Sequence, residues 1–341
     1  MGLLLVAGVF GFAIPQIASY ADVIRAVGDL DALEIAALAA AVVLNLVTFA
    51  PPWMCVLPGL GFLRALTMTQ ASQAAASTLP GGEAVGVALV IGMLRAWGFE
   101  AGPIAVGAVL VSVWNMALKV GMPLLAISLL AVEGGSHSAL DLAAFVGFGA
   151  LVVGLAAGVA VIWSDHQAHR LGEAIGRVLS WAKARVRRRP VHGVGDRFVR
   201  FRNGAIGILR RRWHVLTLST IAGNLAVFAV LLVSLRALDV SASEVSVIEA
   251  FAAWALVRLL TAIPLTPGGI GIAELGLSGA LIAFGGARAE VVAAVLLFRV
   301  LTWLPSVVVG IPAALLWRRL HPGSIAAAEE AADAGAGSTV G

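Results

Sequence analysis

The chain of 341 residues contains few charged side chains, since only 12% of its residues are Asp, Glu, Lys or Arg. Soluble domains carry about 25% charged residues, so this shortage argues against a water-soluble protein. The single cysteine, Cys55, excludes an intramolecular disulfide and leaves no cysteine cluster for a metal. Aromatic residues are also scarce, at 7%. Membrane β-barrels read as roughly ten-residue segments of alternating hydrophobicity, and the sequence shows none.

Apolar residues make up 60% of the chain, and its mean hydropathy is +0.98. A helix needs about 20 mostly apolar residues to cross the hydrocarbon core of a bilayer. The sequence therefore predicts an all-α, polytopic bundle in one membrane domain over residues 1–320. The tail 321–341, rich in Ala, Gly and acidic residues, is predicted to be disordered. The six predicted full spans are Leu3–Tyr20, Ala32–Ala50, Gly102–Val132, Asp141–Trp163, His214–Arg236 and Glu290–Trp317.

Two further apolar segments, residues 64–97 and 244–285, are interrupted in the middle by Pro-Gly-Gly. Proline lacks a backbone N–H and glycine lacks steric constraint, so a helix is expected to stop and reverse there. Each segment is either two short spans or a re-entrant hairpin of two half-helices. The residues of the predicted hairpin motifs are Pro80, Gly81 and Gly82 in the first segment, and Pro267, Gly268, Gly269 and Gly271 in the second.

Basic residues are concentrated in one loop. Residues 164–213 contain 13 Lys and Arg against three acidic residues, while the whole chain has a net charge of +4. Because cytoplasmic loops are enriched in Lys and Arg, this loop and both chain termini are predicted to lie on the cytoplasmic side of the cytoplasmic membrane. Apolar residues at helical spacing, those from Phe198 to Leu209 among them, predict interfacial helices in the loop. Counting crossings places the ends of the two hairpins at opposite membrane faces.

The two hairpins belong to an internal repeat with units of about residues 32–131 and 214–317. Each unit contains a helix, a broken hairpin and a long helix. Since the charge distribution orients the units oppositely, the sequence predicts an inverted repeat, a design of transporters whose sites lie near the bilayer midplane. Besides the two Pro-Gly-Gly motifs, Leu94 aligns with Leu281 and Gly98 with Gly285 at an offset of 187, and Trp114, Gly121 and Pro123 align with Trp303, Gly310 and Pro312 at 189.

Charged residues inside apolar segments are the candidates for a site, because each costs about 2.5–3.5 kcal/mol at a helix centre. Such charges are expected to pair with one another or to meet water. Lys119 and Glu249 fall within apolar segments but are not assigned to the substrate path. Lys119 is expected to extend its side chain to a membrane interface. The four candidates for the substrate path are Glu83, Arg258, Glu274 and Arg299.

Each of these candidates has two open interpretations. Glu83 and Glu274 follow a Pro-Gly-Gly motif, where a carboxylate either lines the path or caps its own half-helix. Arg258 and Arg299 are the expected partners of Glu274. The resulting cluster either recognises a phosphate, which suits the planar fork of arginine, or forms a structural ion pair between helices.

Other polar residues do not indicate a catalytic centre or a bound cofactor. His166 and His169 have helical spacing but lack a third metal ligand, so no metal site is expected. Positive-inside topology explains the basic loop, so no nucleic-acid partner is expected. Asn45, Asn115 and Asn224 lie within spans, where hydrogen bonds between helices are their expected role.

The second hairpin motif, from Pro264 to Glu274, resembles the signature of the lysylphosphatidylglycerol synthase transmembrane family, also called flippase-like proteins. The first, from Leu79 to Glu83, resembles the shorter Pro-x-x-Gly-Glu motif of that family, and the resemblance covers about residues 1–320. It implies translocation of a lipid, such as an aminoacylated phospholipid, between leaflets. Bifunctional members add a cytoplasmic aminoacyltransferase domain. Because this sequence ends soon after Arg319, no enzymatic activity is expected.

These observations favour a translocator of a phospholipid or lipid-linked headgroup. Its expected partners are membrane lipids, either anionic or aminoacylated. Two alternatives remain open at this point. One is a non-catalytic membrane subunit that supports a lipid- or glycan-modifying enzyme, and the other is an ion-coupled solute transporter.

Overall fold

The computed structural model of the protein describes residues 28, 30–78, 82–134, 194–261 and 271–320. Several predictions fall outside these residues and are not assessed by the structure. They concern the spans Leu3–Tyr20 and Asp141–Trp163, the greater part of the basic loop, the tail 321–341, and the motif residues Pro80, Gly81, Pro267, Gly268 and Gly269.

Every regular element in the described part of the chain is an α-helix, as the composition predicts. The helices are α1 (Ala32–Thr48), α2 (Ala50–Val56), α3 (Phe62–Thr78), α4 (Gly82–Ala96), α5 (Ala101–Gly134), α6 (Val194–Ala237), α7 (Val247–Leu260), α8 (Ile272–Ala283) and α9 (Arg288–Leu320).

Four helical stretches are long and apolar enough to cross a membrane, and the chain is a multi-pass membrane protein. They correspond to the four predicted full spans that the structure describes. The short helices α3, α4, α7 and α8 form the two hairpins. The four spanning stretches are Ala32–Val56, Ala101–Ala131, Phe201–Ala237 and Arg288–Trp317.

Helix α6 begins much earlier than predicted. It runs without interruption from Val194, so the segment from Phe198 to Leu209 is part of a spanning helix and not a separate interfacial one. Ala205 and Arg202 in this segment are buried. Apolar residues at helical spacing predict a helix, but they do not show whether lipid or protein covers its apolar face. Here protein covers it.

Local sequence signals explain several helix ends. At the start of α1, Asp31 and Glu34 form a capping box, in which each side chain accepts a hydrogen bond from the backbone N–H of the other. Ser246 and Glu249 do the same at the start of α7. The carboxylate of Glu249 therefore satisfies a helix terminus and does not need an ionic partner in the membrane.

The second half-helix of each hairpin ends in the same way. Trp97, Gly98 and Phe99 donate backbone hydrogen bonds to the carbonyls of Met93, Arg95 and Leu94. At an offset of 187, Phe284, Gly285 and Gly286 donate to Ala280, Ile282 and Leu281. This is the Schellman pattern, which requires a left-handed residue after the helix. Gly98 and Gly285 supply it, with φ of 88° and 121°. The aligned positions thus share backbone geometry as well as residue type.

The bases of the two hairpins lie at opposite ends of α6. Leu60 and Leu94, at the base of the first hairpin, pack in one core with Leu216. Val245 and Leu281, at the base of the second, pack in another core with Leu235. A helix rises about 1.5 Å per residue, so Leu216 and Leu235 lie about 28 Å apart along α6. This distance is close to the thickness of the hydrocarbon core, about 30 Å.

The two units of the repeat are packed reciprocally. The first hairpin contacts the long helix of the second unit, because α3 packs along α9. The second hairpin contacts the long helix of the first unit, because α7 packs along α5. The first helices of the units, α1 and α6, also contact each other. Among the described helices, contacts between the units are therefore as extensive as contacts within them.

The contact between α3 and α9 depends on Gly310. A Cβ at this position would meet the backbone carbonyl of Gln70 and, at 2.8 Å, the Cβ of Ala74. We expect Gly310→Ala to lower the free energy of unfolding by about 1–3 kcal/mol, the usual cost of overpacking. Gly279→Ala, in α8, is the matched control, since a Cβ there meets nothing within 4 Å. Thermal unfolding in detergent measures both, and equal melting temperatures would contradict the close packing of these helices.

Candidate functional site

Glu274 forms a buried ion pair with Arg299. Its Oε1 lies 2.7 Å from the Nε of Arg299, and the two side chains are 3% and 23% exposed. Its Oε2 accepts a hydrogen bond from the backbone N–H of Gly271, the residue that precedes α8. Glu274 thus both caps its half-helix and joins α8 to α9. Of the two predicted partners, the structure pairs it with Arg299.

Arg258, the other predicted partner of Glu274, is placed differently. It lies in the last turn of α7, with its guanidinium carbon 5.2 Å from the centre of the Trp254 ring. Its Nε is buried and has no hydrogen-bond partner among the described residues. A buried N–H donor without a partner is costly, because it has lost water without gaining an acceptor. Arg258 therefore has the capacity to bind an anionic oxygen.

Lys119 is the residue that sequence reasoning undervalued. It lies near the midpoint of α5, partly buried, and not at a membrane interface. Its ammonium group interacts electrostatically with the Arg258 guanidinium, which repels it, and with the Glu83 carboxylate, which attracts it. Because Glu83 begins one half-helix and Arg258 ends another, Lys119 lies within electrostatic range of a residue at the tip of each hairpin.

Glu83 lies in the first turn of α4 and is exposed. The preceding residue, Gly82, is buried against the backbone carbonyl of Ala75 in α3, which brings the two half-helices close together at this tip. Glu83, Lys119 and Arg258 are called the tip cluster below. The Glu274–Arg299 pair is not counted in this cluster and joins α8 to α9.

The charges do not follow the repeat. At the repeat offsets, Glu83, Lys119 and Arg258 correspond to Ile270, Val308 and Ala71, while Glu274 and Arg299 correspond to Val87 and Leu110. The scaffold is therefore repeated, but the tip cluster and the ion pair each occur once. An alignment of the two units consequently identifies the hairpins but gives no signal for Lys119.

The hydrogen bonds shown for two of the spanning asparagines stay within one helix, whereas bonds between helices were predicted. Asn115 donates to the carbonyl of Val111 and Asn224 to that of Thr220, each within its own helix. A hydrogen bond between helices comes instead from Gln70 in α3, whose amide nitrogen donates to the carbonyl of Leu46 in α1 at 2.9 Å. Gln70 lies in a less hydrophobic stretch of sequence than the asparagines, so its role in joining two helices is visible only in the structure.

The connection between α6 and α7 contains a perturbed carboxyl group. The backbone N–H and the hydroxyl of Ser241 donate to Glu244, and these hydrogen bonds lower the pKa of its carboxyl group. Nearby, Arg236 donates to the carbonyls of Val240 and Val245 at 2.6 and 2.9 Å. Both sets of bonds fix the connection between α6 and α7, at the base of the second hairpin and away from the tip cluster.

The family model of the lysylphosphatidylglycerol synthase TM region matches residues 1–310. The chain belongs to this family. The resemblance seen in the two hairpin motifs is thereby confirmed over most of the sequence. A search of curated proteins finds no match for the chain. Membership in the lysylphosphatidylglycerol synthase TM region family relates the protein to membrane lipids.

Proposed function

We propose that this protein translocates a phospholipid or lipid-linked headgroup between the leaflets of the membrane. The observation that carries the proposal is the tip cluster. Two hairpins entering from opposite ends of the bundle bring Glu83 and Arg258 within electrostatic range of Lys119. Discontinuous helices that meet in this way are typical of transporter sites.

The charge balance of the cluster favours an anionic group. Lys119 and Arg258 carry two positive charges against the single negative charge of Glu83, while Glu274 and Arg299 neutralise each other. Arginine binds phosphate through two parallel N–H donors, and lysine binds it as a point charge. The phosphodiester that phospholipids share is therefore the group expected to contact Arg258 and Lys119.

The surface next to Glu83 suits acyl chains. On α4, Val85, Val87 and Ile91 are 39%, 57% and 43% exposed. An exposed carboxylate beside an exposed apolar helix face gives a lipid two compatible surfaces. The headgroup would move along the tip cluster, and the acyl chains would remain in the bilayer against α4.

Exchange of a labelled lipid tests this function. The full chain is reconstituted in liposomes that contain a fluorescent phosphatidylglycerol, and dithionite quenches the label in the outer leaflet. We expect quenching of nearly all the label with protein and of about half without it. Lys119→Gln should slow the exchange about 10-fold or more, the effect of losing one charge-assisted contact.

Arg95→Gln is the matched control for the loss of one positive charge, because Arg95 is exposed at the far end of α4. It should exchange lipid at the original rate. Liposomes with monodisperse protein that quench only half of the label would refute translocation. Co-purification with a lipid-modifying enzyme would then support the role of a membrane subunit.

A further inference from the structure

Three side-chain amides in the interior have oxygens without partners. Asn45, Gln70 and Asn224 are 5%, 2% and 1% exposed, and the side-chain oxygen of each is buried with no hydrogen-bond partner among the described residues. The amide nitrogens of Gln70 and Asn224 donate to backbone carbonyls. These bonds orient the two amides, so their oxygens are the groups left to be satisfied.

A break in the neighbouring helix frees a backbone oxygen in the same region. The carbonyl of Thr48, the last residue of α1, would normally accept a bond from the residue four positions later, which is Pro52 and has no N–H. This carbonyl faces Gly223 of α6, where an added Cβ would lie 3.3 Å from it. The C-terminal end of α1 also carries a partial negative charge from the helix dipole.

The packing of α1 on α6 places the oxygens of Asn45 and Thr48 near that of Asn224 along the helix axes. Thr48 lies beside Gly223, whereas Ala41, two turns earlier, packs in the core that contains Val227 and Phe228. The two helices are therefore antiparallel here. Asn45 lies on the buried face of α1 three residues before Thr48, and Asn224 follows Gly223, so both amides lie within about one helical turn of the contact between Thr48 and Gly223.

Gln70 approaches the same level from a third helix. Its amide nitrogen bonds the carbonyl of Leu46, the residue that follows Asn45. Its backbone carbonyl is held against Gly310 of α9, which fixes the position of α3. Helices α1, α3 and α6 thus each contribute oxygen atoms to one part of the interior.

We propose that this group of oxygens, here called the amide site, binds a sodium ion. Its members are the side-chain oxygens of Asn45, Gln70 and Asn224 and the backbone carbonyl of Thr48. Hard cations prefer oxygen ligands. Because all four ligands are neutral, a monovalent ion is favoured over a divalent one, and the close approach of α1 and α6 at Gly223 favours the smaller sodium ion over potassium. Carbonyls freed at helix breaks coordinate sodium in transporters in the same manner.

The amide site is separate from the tip cluster. It lies where α1 and α6 cross, while the tip cluster lies between the hairpins and α5. The sodium proposal therefore does not depend on the proposed function, and it is tested on the full chain in detergent without any measurement of lipid exchange.

Direct binding of radioactive sodium is the decisive experiment. We expect saturable binding of ²²Na⁺ by the purified protein, displaced by unlabelled sodium and at least 10-fold less well by potassium. The melting temperature should rise with NaCl to a plateau and remain constant in N-methylglucamine chloride of equal ionic strength, since a ligand that binds only the folded state stabilises it.

Substitutions locate the site. Asn224→Leu should weaken sodium binding at least 10-fold, while Asn115→Leu, which changes an asparagine bonded within α5, should leave it unchanged. Asn45→Asp should make sodium binding depend on pH, because a carboxylate replaces an amide. A purely structural asparagine would not produce that change.

Two results would overturn the proposal. The first is the absence of saturable ²²Na⁺ binding by the original protein, in which case the amide oxygens are hydrated by water alone. The second is sodium binding by the original protein that Asn224→Leu and Asn45→Asp leave unaltered. If Asn224→Leu fails to fold, the original protein and Asn45→Asp decide the matter.

Discussion

Replacing Glu274 by glutamine is expected to lower the free energy of unfolding by about 3 kcal/mol, the lower end of the range for removing one member of a buried ion pair. Glutamine keeps an oxygen that can accept from Gly271, so the cap of α8 can persist. Its amide cannot offer Arg299 a negative charge. The loss of stability in this variant therefore reports the contribution of the ion pair and not that of the helix cap. Unfolding of the purified protein in detergent, followed by tryptophan fluorescence, measures it.

A double substitution distinguishes a structural role of the Glu274–Arg299 pair from a role in lipid binding. Replacing a whole buried ion pair by uncharged residues is often neutral for stability. The double variant Glu274→Gln/Arg299→Met should accordingly regain most of the lost stability. If the pair only joins α8 to α9, this variant should also exchange lipid at nearly the original rate. A stable double variant without exchange would place the pair in the lipid path.

Replacing Arg258 by glutamine is expected to reduce lipid exchange about 10- to 100-fold without lowering stability. A hydrogen bond to a charged group contributes about 1.5–3 kcal/mol, and each 1.4 kcal/mol is about a factor of ten in rate. In the absence of lipid, however, the buried Nε of Arg258 has no partner among the described residues. Removing it eliminates a buried donor without a partner, so the melting temperature should stay constant or rise.

A lower rate of lipid exchange combined with an unchanged or higher melting temperature would identify Arg258 as a binding residue. Arg236→Gln is the matched comparison, because Arg236 donates two hydrogen bonds to backbone carbonyls at the base of the second hairpin. It should lower stability. A pronounced fall in stability for Arg258→Gln, with exchange retained, would instead mean that Arg258 is a structural residue. Both variants are measured by unfolding in detergent and by exchange in liposomes.

Much of the fold was predictable because it depends on local sequence. The length of the apolar runs determines the spans, and the described ones agree with prediction. The Pro-Gly-Gly motifs locate the turns of the hairpins, although the structure does not describe most of those residues. The pairing of Glu274 with Arg299 was also predictable, since both charges are otherwise too costly in a membrane.

The remaining features depend on how distant segments meet. Lys119 lies within electrostatic range of Glu83 and Arg258 because one half-helix of each hairpin packs against α5, and no local pattern predicts that arrangement. Gln70 and Leu46 lie on different helices, and the bond between them follows from the packing of α1 on α3. Similarly, the continuation of α6 into the basic segment depends on the protein surface that covers Ala205.

The reciprocal packing of the two units has a consequence for biosynthesis. As the ribosome releases the chain, the first hairpin enters the membrane before its partner helix, α9, has been made. Until then the face of α3 that later receives Gly310 has only lipid or the insertion machinery to contact. The first half of the chain therefore cannot complete its packing while it is being translated, and the bundle forms only after the last helix has been made.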